Sequence, residues 1–192
     1  MTQVENPYDR KIRILDDPKR IASLPQEELL SLVTMTEDVD VLDIGAGTGY
    51  LTLPIAEKTT GKVYALDLDE AILQFLNDKA QEEKQHNIEL VHGDFMAIPL
   101  ANQLVEIAFA SLSLHEVTSL EIALQEIHRV LKEDGQFLCV EYEPKDDSNK
   151  RRVPSVEMEQ GLITAGFEII EKIFPTAQFL DQDIYIIVAK KK

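Results

Sequence analysis

The run Val41-Leu42-Asp43-Ile44-Gly45-Ala46-Gly47-Thr48-Gly49-Tyr50 places the densest chemistry in the chain on ten residues. Apolar residues lead into an acid, and three glycines then fall at alternate positions. This pattern predicts a buried strand that turns sharply into a helix. Such a turn points backbone N–H groups and a helix N-terminus at one spot, a setting for carboxylate or phosphate groups. Glycine adds room for a ligand to approach the backbone. Asp43, two residues before the first glycine, suits a ligand that also carries a cationic amine and would repel a pyrophosphate. Further along, His115-Glu116 follows an apolar stretch. A histidine titrates near neutrality, so His115 is a candidate general base for a hydroxyl, amine or carbon acid.

The glycine spacing is G-x-G-x-G, with Tyr50 next. It departs from the dinucleotide fingerprint G-x-G-x-x-G, and no Gly-Lys-Ser/Thr follows to make a phosphate loop. An oxidoreductase using NAD(P) stays open as an alternative, weakened by Tyr50.

The elements needed to position these residues can be read along the chain. Strands are expected at Val39–Ile44, Lys62–Asp67, Ile88–Gly93, Leu104–Ala110 and Gln136–Glu141. Helices are expected at Tyr50–Lys58, Glu70–Lys84, Ser119–Lys132 and Ser155–Ala165. Their alternation implies a parallel sheet with helices on both faces. Two further strands, Phe167–Phe174 and Asp183–Ala189, are joined by too few residues for a parallel crossover, so an antiparallel end is expected. Asp17-Pro18 and Leu24-Pro25 mark breaks in a leader of one or two helices over residues 1–38, ahead of a core over 39–192, the whole forming one domain. Pro144 to Arg152, rich in charge, reads as a mobile loop.

In order along the chain, these motifs resemble the class I S-adenosylmethionine (SAM)-dependent methyltransferases. Val41–Tyr50 resembles their first motif. Val63-Tyr64-Ala65-Leu66-Asp67-Leu68-Asp69 and Val91-His92-Gly93-Asp94-Phe95 resemble their second and third strands, each with its terminal acid. Phe109–Val117 resembles the fourth-strand segment of the small-molecule enzymes, and Ile127–Phe137 the following helix, turn and strand. The resemblance implies an α/β fold: a three-layer Rossmann-like sandwich whose seven-stranded, mostly parallel sheet has an antiparallel last strand. It also implies SAM as methyl donor, with S-adenosylhomocysteine as product. Asp43, Gly45, Ala46, Gly47 and Gly49 would cradle the methionine end. Asp67 would accept from the ribose hydroxyls and Asp94 from the adenine amino group, with Leu68 and Phe95 against the ring and Ser111 nearby. His115, Glu116, Glu141, Tyr142 and Tyr8 would face the acceptor, with His115 the catalytic candidate.

Plainer readings stand beside these. Asp67 could be a helix-start acid with Asp69 as the cap. Asp94 could be a turn residue after Gly93. His115 could line a pocket without moving a proton. His92 and His128 read as structural, and His86 as a solvated helix end. No metal is expected, because the histidines and carboxylates lack ligand spacing. No Asn/Asp-Pro-Pro-Tyr-like motif follows the fourth strand, and a single cysteine argues against arsenite methylation. The resemblance that remains is to the ubiquinone/menaquinone-biosynthesis-type group, with a small-molecule acceptor. A non-catalytic SAM-binding protein with the same cradle also stays open.

Composition bounds the reading further. With 19 basic and 35 acidic residues the net charge is −16, which works against nucleic-acid binding. No apolar run approaches the length of a membrane span. Cys139 reads as a buried core residue, and one cysteine suits a reducing cytoplasm. A monomer or homodimer is expected.

Overall fold

The computed structural model describes residues 7–145, 152–176, 179 and 182–192. The notional loop from Pro144 to Arg152 therefore lies largely outside the described residues. Seven strands form one sheet in the order β3-β2-β1-β4-β5-β7-β6. They are β1 Val41–Ile44, β2 Val63–Asp67, β3 Ile88–His92, β4 Val105–Ser111, β5 Leu131–Tyr142, β6 Phe167–Ile173 and β7 Ile184–Lys191. β1 to β5 pair in parallel. β7 runs antiparallel to both β5 and β6, as the short connection before it requires.

Alternation along the strands divides the core between two faces. On one face Leu42, Ile44, Leu66, Ala108 and Phe137 pack under α6 (Leu120–Val130) and α7 (Ser155–Thr164). On the other, Val41, Val63, Ile107, Phe109 and Leu138 pack under α3 (Gln26–Leu30) and α4 (Thr52–Lys58). α5 (Glu70–Glu82) packs Leu76 and Ala80 near Ala65 and Leu53. β1 is buried on both sides, and its residues are apolar for this reason, with Asp43 the exception.

The leader forms three short helices rather than one or two: α1 Pro7–Leu15, α2 Pro18–Ser23 and α3. The Pro at each of the two breaks opens a new helix or its cap, and Asp17 accepts from the Lys19 N–H. A second difference lies after α6. The helix stops at Val130, and extended backbone begins at Leu131, five residues before the expected strand. Leu131 pairs with Val105, and the ladder resumes only at Gln136 opposite Ile107. The expected Glu133-Asp134-Gly135 turn is thus a bulge inside β5, with Asp134 at φ 64°.

From β1 the chain winds to β2 and β3 on one side, and then returns to β4 and β5 on the other. The order reverses between β1 and β4. Open α/β sheets hold ligands beyond the C-terminal strand ends at that point.

Candidate functional site

The loop after β1 lies at this reversal. Gly45, Gly47 and Gly49 all have positive φ. Their roles divide. A Cβ on Gly45 would stand 2.6 Å from Ser113 Cβ, across the mouth of the sheet from β1. A Cβ on Gly49 would stand 2.4 Å from Leu76 Cδ1 and close to Leu53. Gly49 therefore lets α4 and α5 pack, and its N–H closes the turn by donating to Ala46 O at 2.9 Å. Asp67, at the tip of β2, holds the loop from the side: Gly47 N–H donates to its Oδ2 at 2.9 Å and Asp69 N–H to its Oδ1 at 2.9 Å. Asp69 is the cap of α5, accepting from the N–H groups of Ala71 and Ile72.

Two of the spaces along this edge share Gly45, Gly47 and Ser111. The larger is a cleft of about 330 Å³ that brings together Gly45, Gly47, Asp67, Leu68, Asp94, Phe95, Ser111 and Glu116. The smaller is a recess of about 30 Å³ bounded by Asp43, Gly45, Ala46, Gly47 and Ser111. Nine of the predicted residues thus converge from four separate strand ends, and Ala46 joins them. Asp94 also makes a turn, accepting from Met96 N–H at 2.8 Å, so its plainer reading holds alongside its place in the cleft.

The recess has unmet polarity. The hydroxyls of Thr48 and Ser111 are buried and lack a hydrogen-bond partner. Buried polar atoms are seldom left so, and here both border a space. Asp43 is buried and accepts from the Thr52 hydroxyl at 2.6 Å. Burial pushes its pKa up to about 6, against the Thr52 hydrogen bond; repulsion from Asp67 adds to the rise. A cation arriving in the recess would reverse that shift.

His115 stands on the 3₁₀ turn Leu114–Glu116 that follows β4. It does not itself border the cleft, which Leu112 and Ser113 reach from one side and Glu116, Val117 and Thr118 from the other. Its Nδ1 lies 2.9 Å from Glu141 Oε2, and its backbone N–H donates to Glu141 Oε1. That hydrogen bond raises the His115 pKa, against partial burial. Tyr142 packs its ring edge on His115 at 5.8 Å between centroids, and the Arg152 guanidinium lies over Tyr142 at 3.7 Å.

Of the residues expected to face the acceptor, Glu116 lines the cleft, and His115, Glu141, Tyr142 and Tyr8 do not. Glu141 is 1% exposed and faces His115, not an open acceptor site. Tyr8 does not line the cleft; its hydroxyl donates to Ala71 O at the start of α5, fastening the leader there. The leader supplies instead Lys11 and Leu15, which no motif singled out. Their only sequence signal is an amphipathic stretch upstream of the motif loop. Tyr50, which replaced a third spaced glycine, also serves the leader: its carbonyl accepts from Gln26 Nε2 at 2.6 Å, and its hydroxyl donates to Leu24 O. His92 contacts Leu68 O at 3.1 Å, His128 stacks its edge on Phe167, and His86 is exposed. Among the described residues no group of three or more His, Cys, Asp or Glu is placed to hold a metal, and no helix is long and apolar enough to cross a membrane.

The seven-stranded sheet with its reversed last pair, and the acid-tipped cleft at the strand reversal, define a Rossmann-like nucleoside-cofactor fold. Residues 42–139 match the methyltransferase domain family, and the chain belongs to it. Its domain is of the class I, S-adenosylmethionine-dependent methyltransferase kind. The oxidoreductase alternative falls with that membership. The chain is 30% identical over 118 residues to the demethylmenaquinone methyltransferase of Listeria welshimeri, which covers 60% of this chain and 50% of the relative. It is 32% identical over 133 residues to that of Lactococcus lactis, covering 66% and 53%. The chain thus spans about half the length of these relatives. In fold it is similar to a SAM-dependent methyltransferase from Aquifex aeolicus, with a TM-score of 0.83, 22% identity, and coverage of 98% and 100%.

Proposed function

We propose that the chain methylates a small-molecule acceptor, with the donor seated across the recess and the cleft. Two buried hydroxyls without partners beside a buried acid carry this reading. The polar methionine end of SAM supplies an ammonium for Asp43 and a carboxylate for Ser111 and Thr48. The adenosine end fits the cleft, where Asp67 would accept from ribose hydroxyls and Asp94 from an adenine amino group. Leu68 and Phe95 would flank the ring. Gly45 keeps a side chain out of that path. When bound, SAM supplies a sulfonium-activated methyl group.

The protein's own part is to position two reactants and exclude water. Leu15 of α1 borders both spaces and covers them. Leu112, Val117 and Met96 give the acceptor end an apolar wall. His115 itself stands off the cleft, on the turn that leads into Glu116 and Val117 of its lining, and is the candidate base for the acceptor's proton. The similarity to demethylmenaquinone methyltransferases supports a quinone-like acceptor, and the apolar wall agrees with one. A nucleic-acid acceptor fits poorly with a net charge of −16.

The test pairs calorimetry with a screen. SAM and S-adenosylhomocysteine should bind, and NAD should not. S-adenosylhomocysteine release should then be followed across phenols, quinone precursors, amines and thiols. Turnover of macromolecular acceptors alone would overturn the small-molecule reading.

A further inference from the structure

Thr48 sits between two glycines of positive φ, Gly47 at 54° and Gly49 at 91°. Glycine has little backbone preference of its own, so the peptides around Thr48 need partners to keep one orientation. Three groups supply them among the described residues. Asp67 Oδ2 accepts from Gly47 N–H at 2.9 Å, and Ala46 O accepts from Gly49 N–H at 2.9 Å. The third reaches the loop from behind: Lys79 Nζ donates to Thr48 O at 3.1 Å. Lys79 stands in the last turn of α5, three residues after Leu76, whose Cδ1 leaves no room for a Cβ on Gly49. One face of α5 thus seats the back of the loop, by packing at Gly49 and by a charged hydrogen bond at Thr48. Asp16, just past the end of α1, lies 3.3 Å from the same Nζ and limits where the ammonium can swing.

We propose that Lys79 is a positioning residue for the methyl donor: by holding the Thr48 peptide, it aims the Thr48 hydroxyl into the recess that receives the donor's carboxylate. This rests on the proposed seating of the donor across the recess and the cleft. The Thr48 hydroxyl is buried and without a hydrogen-bond partner, and the residue borders the recess. Threonine is β-branched and stiff at χ1, so its hydroxyl goes where the backbone points it. Without Lys79, the peptide from Thr48 to Gly49 keeps its N–H contact but loses its hold at the carbonyl. The hydroxyl then loses its fixed aim. The adenosine end does not pass through Thr48. Its contacts, Asp67, Leu68, Asp94 and Phe95, lie in the cleft at other strand ends.

A lysine in the last turn of a helix also suits the helix dipole, a role that any outward direction of the side chain would serve. Here the ammonium turns instead onto the carbonyl of a residue that is 1% exposed. Lys79 is not among the residues that border the recess or the cleft, so it acts through Thr48 and not by touching the ligand.

The experiment measures two ligands by calorimetry on the full chain. S-adenosylhomocysteine carries the amino-acid end; methylthioadenosine has the same adenosine and a thioether but lacks that end. Lys79→Met keeps an unbranched apolar stem and removes the ammonium. It should weaken S-adenosylhomocysteine about tenfold and methylthioadenosine by less than about twofold. Lys79→Arg, which keeps a charged donor, should restore most of the loss. Thr48→Val keeps the branched shape and removes the hydroxyl through which Lys79 acts. In that background Lys79→Met should cost less than about twofold more, because the two residues act as one unit. Four results overturn the inference: both ligands weakened alike, S-adenosylhomocysteine affinity unchanged, Lys79→Arg as weak as Lys79→Met, or losses that add in the double variant. A wild type that binds methylthioadenosine as tightly as S-adenosylhomocysteine, or binds neither, would instead overturn the seating of the donor. If Lys79→Met fails to fold, Lys79→Gln takes its place, and the same ratio between the two ligands decides.

Discussion

Asp43 shows what a functional acid costs at the residue scale. It is buried, neutral groups surround it apart from Asp67, and its pKa is raised from 3.8 to about 6. A raised carboxyl pKa means the folded state binds the proton more tightly than the unfolded chain. Its contribution to stability is therefore best below about pH 4 and falls as pH rises through about 6. The loss amounts to about 3 kcal/mol at most. Asp43→Asn keeps an oxygen for the Thr52 hydroxyl and removes the charge. We expect it to unfold at higher urea than the parent at pH 8, with the difference gone near pH 4. The same variant should bind SAM more weakly. A variant less stable at pH 8 would mean that Asp43 has a cationic partner in the apo fold. Asp67 is the second case. It already holds Gly47 and Asp69 by their N–H groups, so Asp67→Ala should loosen the loop and lower SAM affinity together, by up to about 3 kcal/mol in calorimetry. Unchanged affinity in a folded variant would remove Asp67 from the ribose role. Glu141 marks the limit of reading residues singly. A glutamate closing an apolar strand announces a special position, but the sequence does not say whether it faces a ligand or a histidine 26 positions away.

At the scale of elements, the leader is the part that no motif described. α1 is held to the rim by Tyr8 on Ala71 O, Lys11 on Asp69 and Asp16 on Lys79, and Leu15 reaches over Gly47. These ion pairs are at the surface, and such pairs contribute about 0–1 kcal/mol each. The helix is thus fastened lightly, as a cover that must admit ligands should be. Lys11→Glu removes one fastening and adds repulsion with Asp69. We expect faster release of S-adenosylhomocysteine in stopped flow, with thermal stability of the core nearly unchanged; an unaltered release rate would show that α1 does not gate the cleft. Most elements were legible because β1, β2, β4 and β5 are apolar runs closed by acids, glycines or polar turns. The boundaries that moved have a physical cause. Leu131 continues the apolar spacing of α6 and so reads as helix, yet its partner is Val105, and strand pairing overrides local periodicity. The resemblance gives Gly49 a place in the cradle loop, but its second role, admitting Leu53 and Leu76, depends on helices whose packing only the fold brings together.

Charge belongs to the whole molecule. The net charge of −16 is shared by the cleft, where Asp67, Asp94 and Glu116 outnumber Lys11 among the described lining, and by the recess with Asp43. A field of one sign over a concave site raises the local concentration of an oppositely charged ligand. Donor and product differ in this respect. SAM has a sulfonium and an ammonium against one carboxylate, a net single positive charge, while S-adenosylhomocysteine has lost the sulfonium charge. The acidic surface that repels nucleic acid would thus draw in the donor and release the product. Association of SAM should slow about threefold to tenfold between low salt and 0.5 M salt, as the screening length shrinks from tens of ångströms to a few. Association of S-adenosylhomocysteine should change little over the same range. Stopped-flow measurements on both ligands, at fixed pH above 7 so that Asp43 stays ionised, give the two slopes. Equal slopes would show that the field at the cleft is cancelled locally, and the net charge would then serve solubility alone.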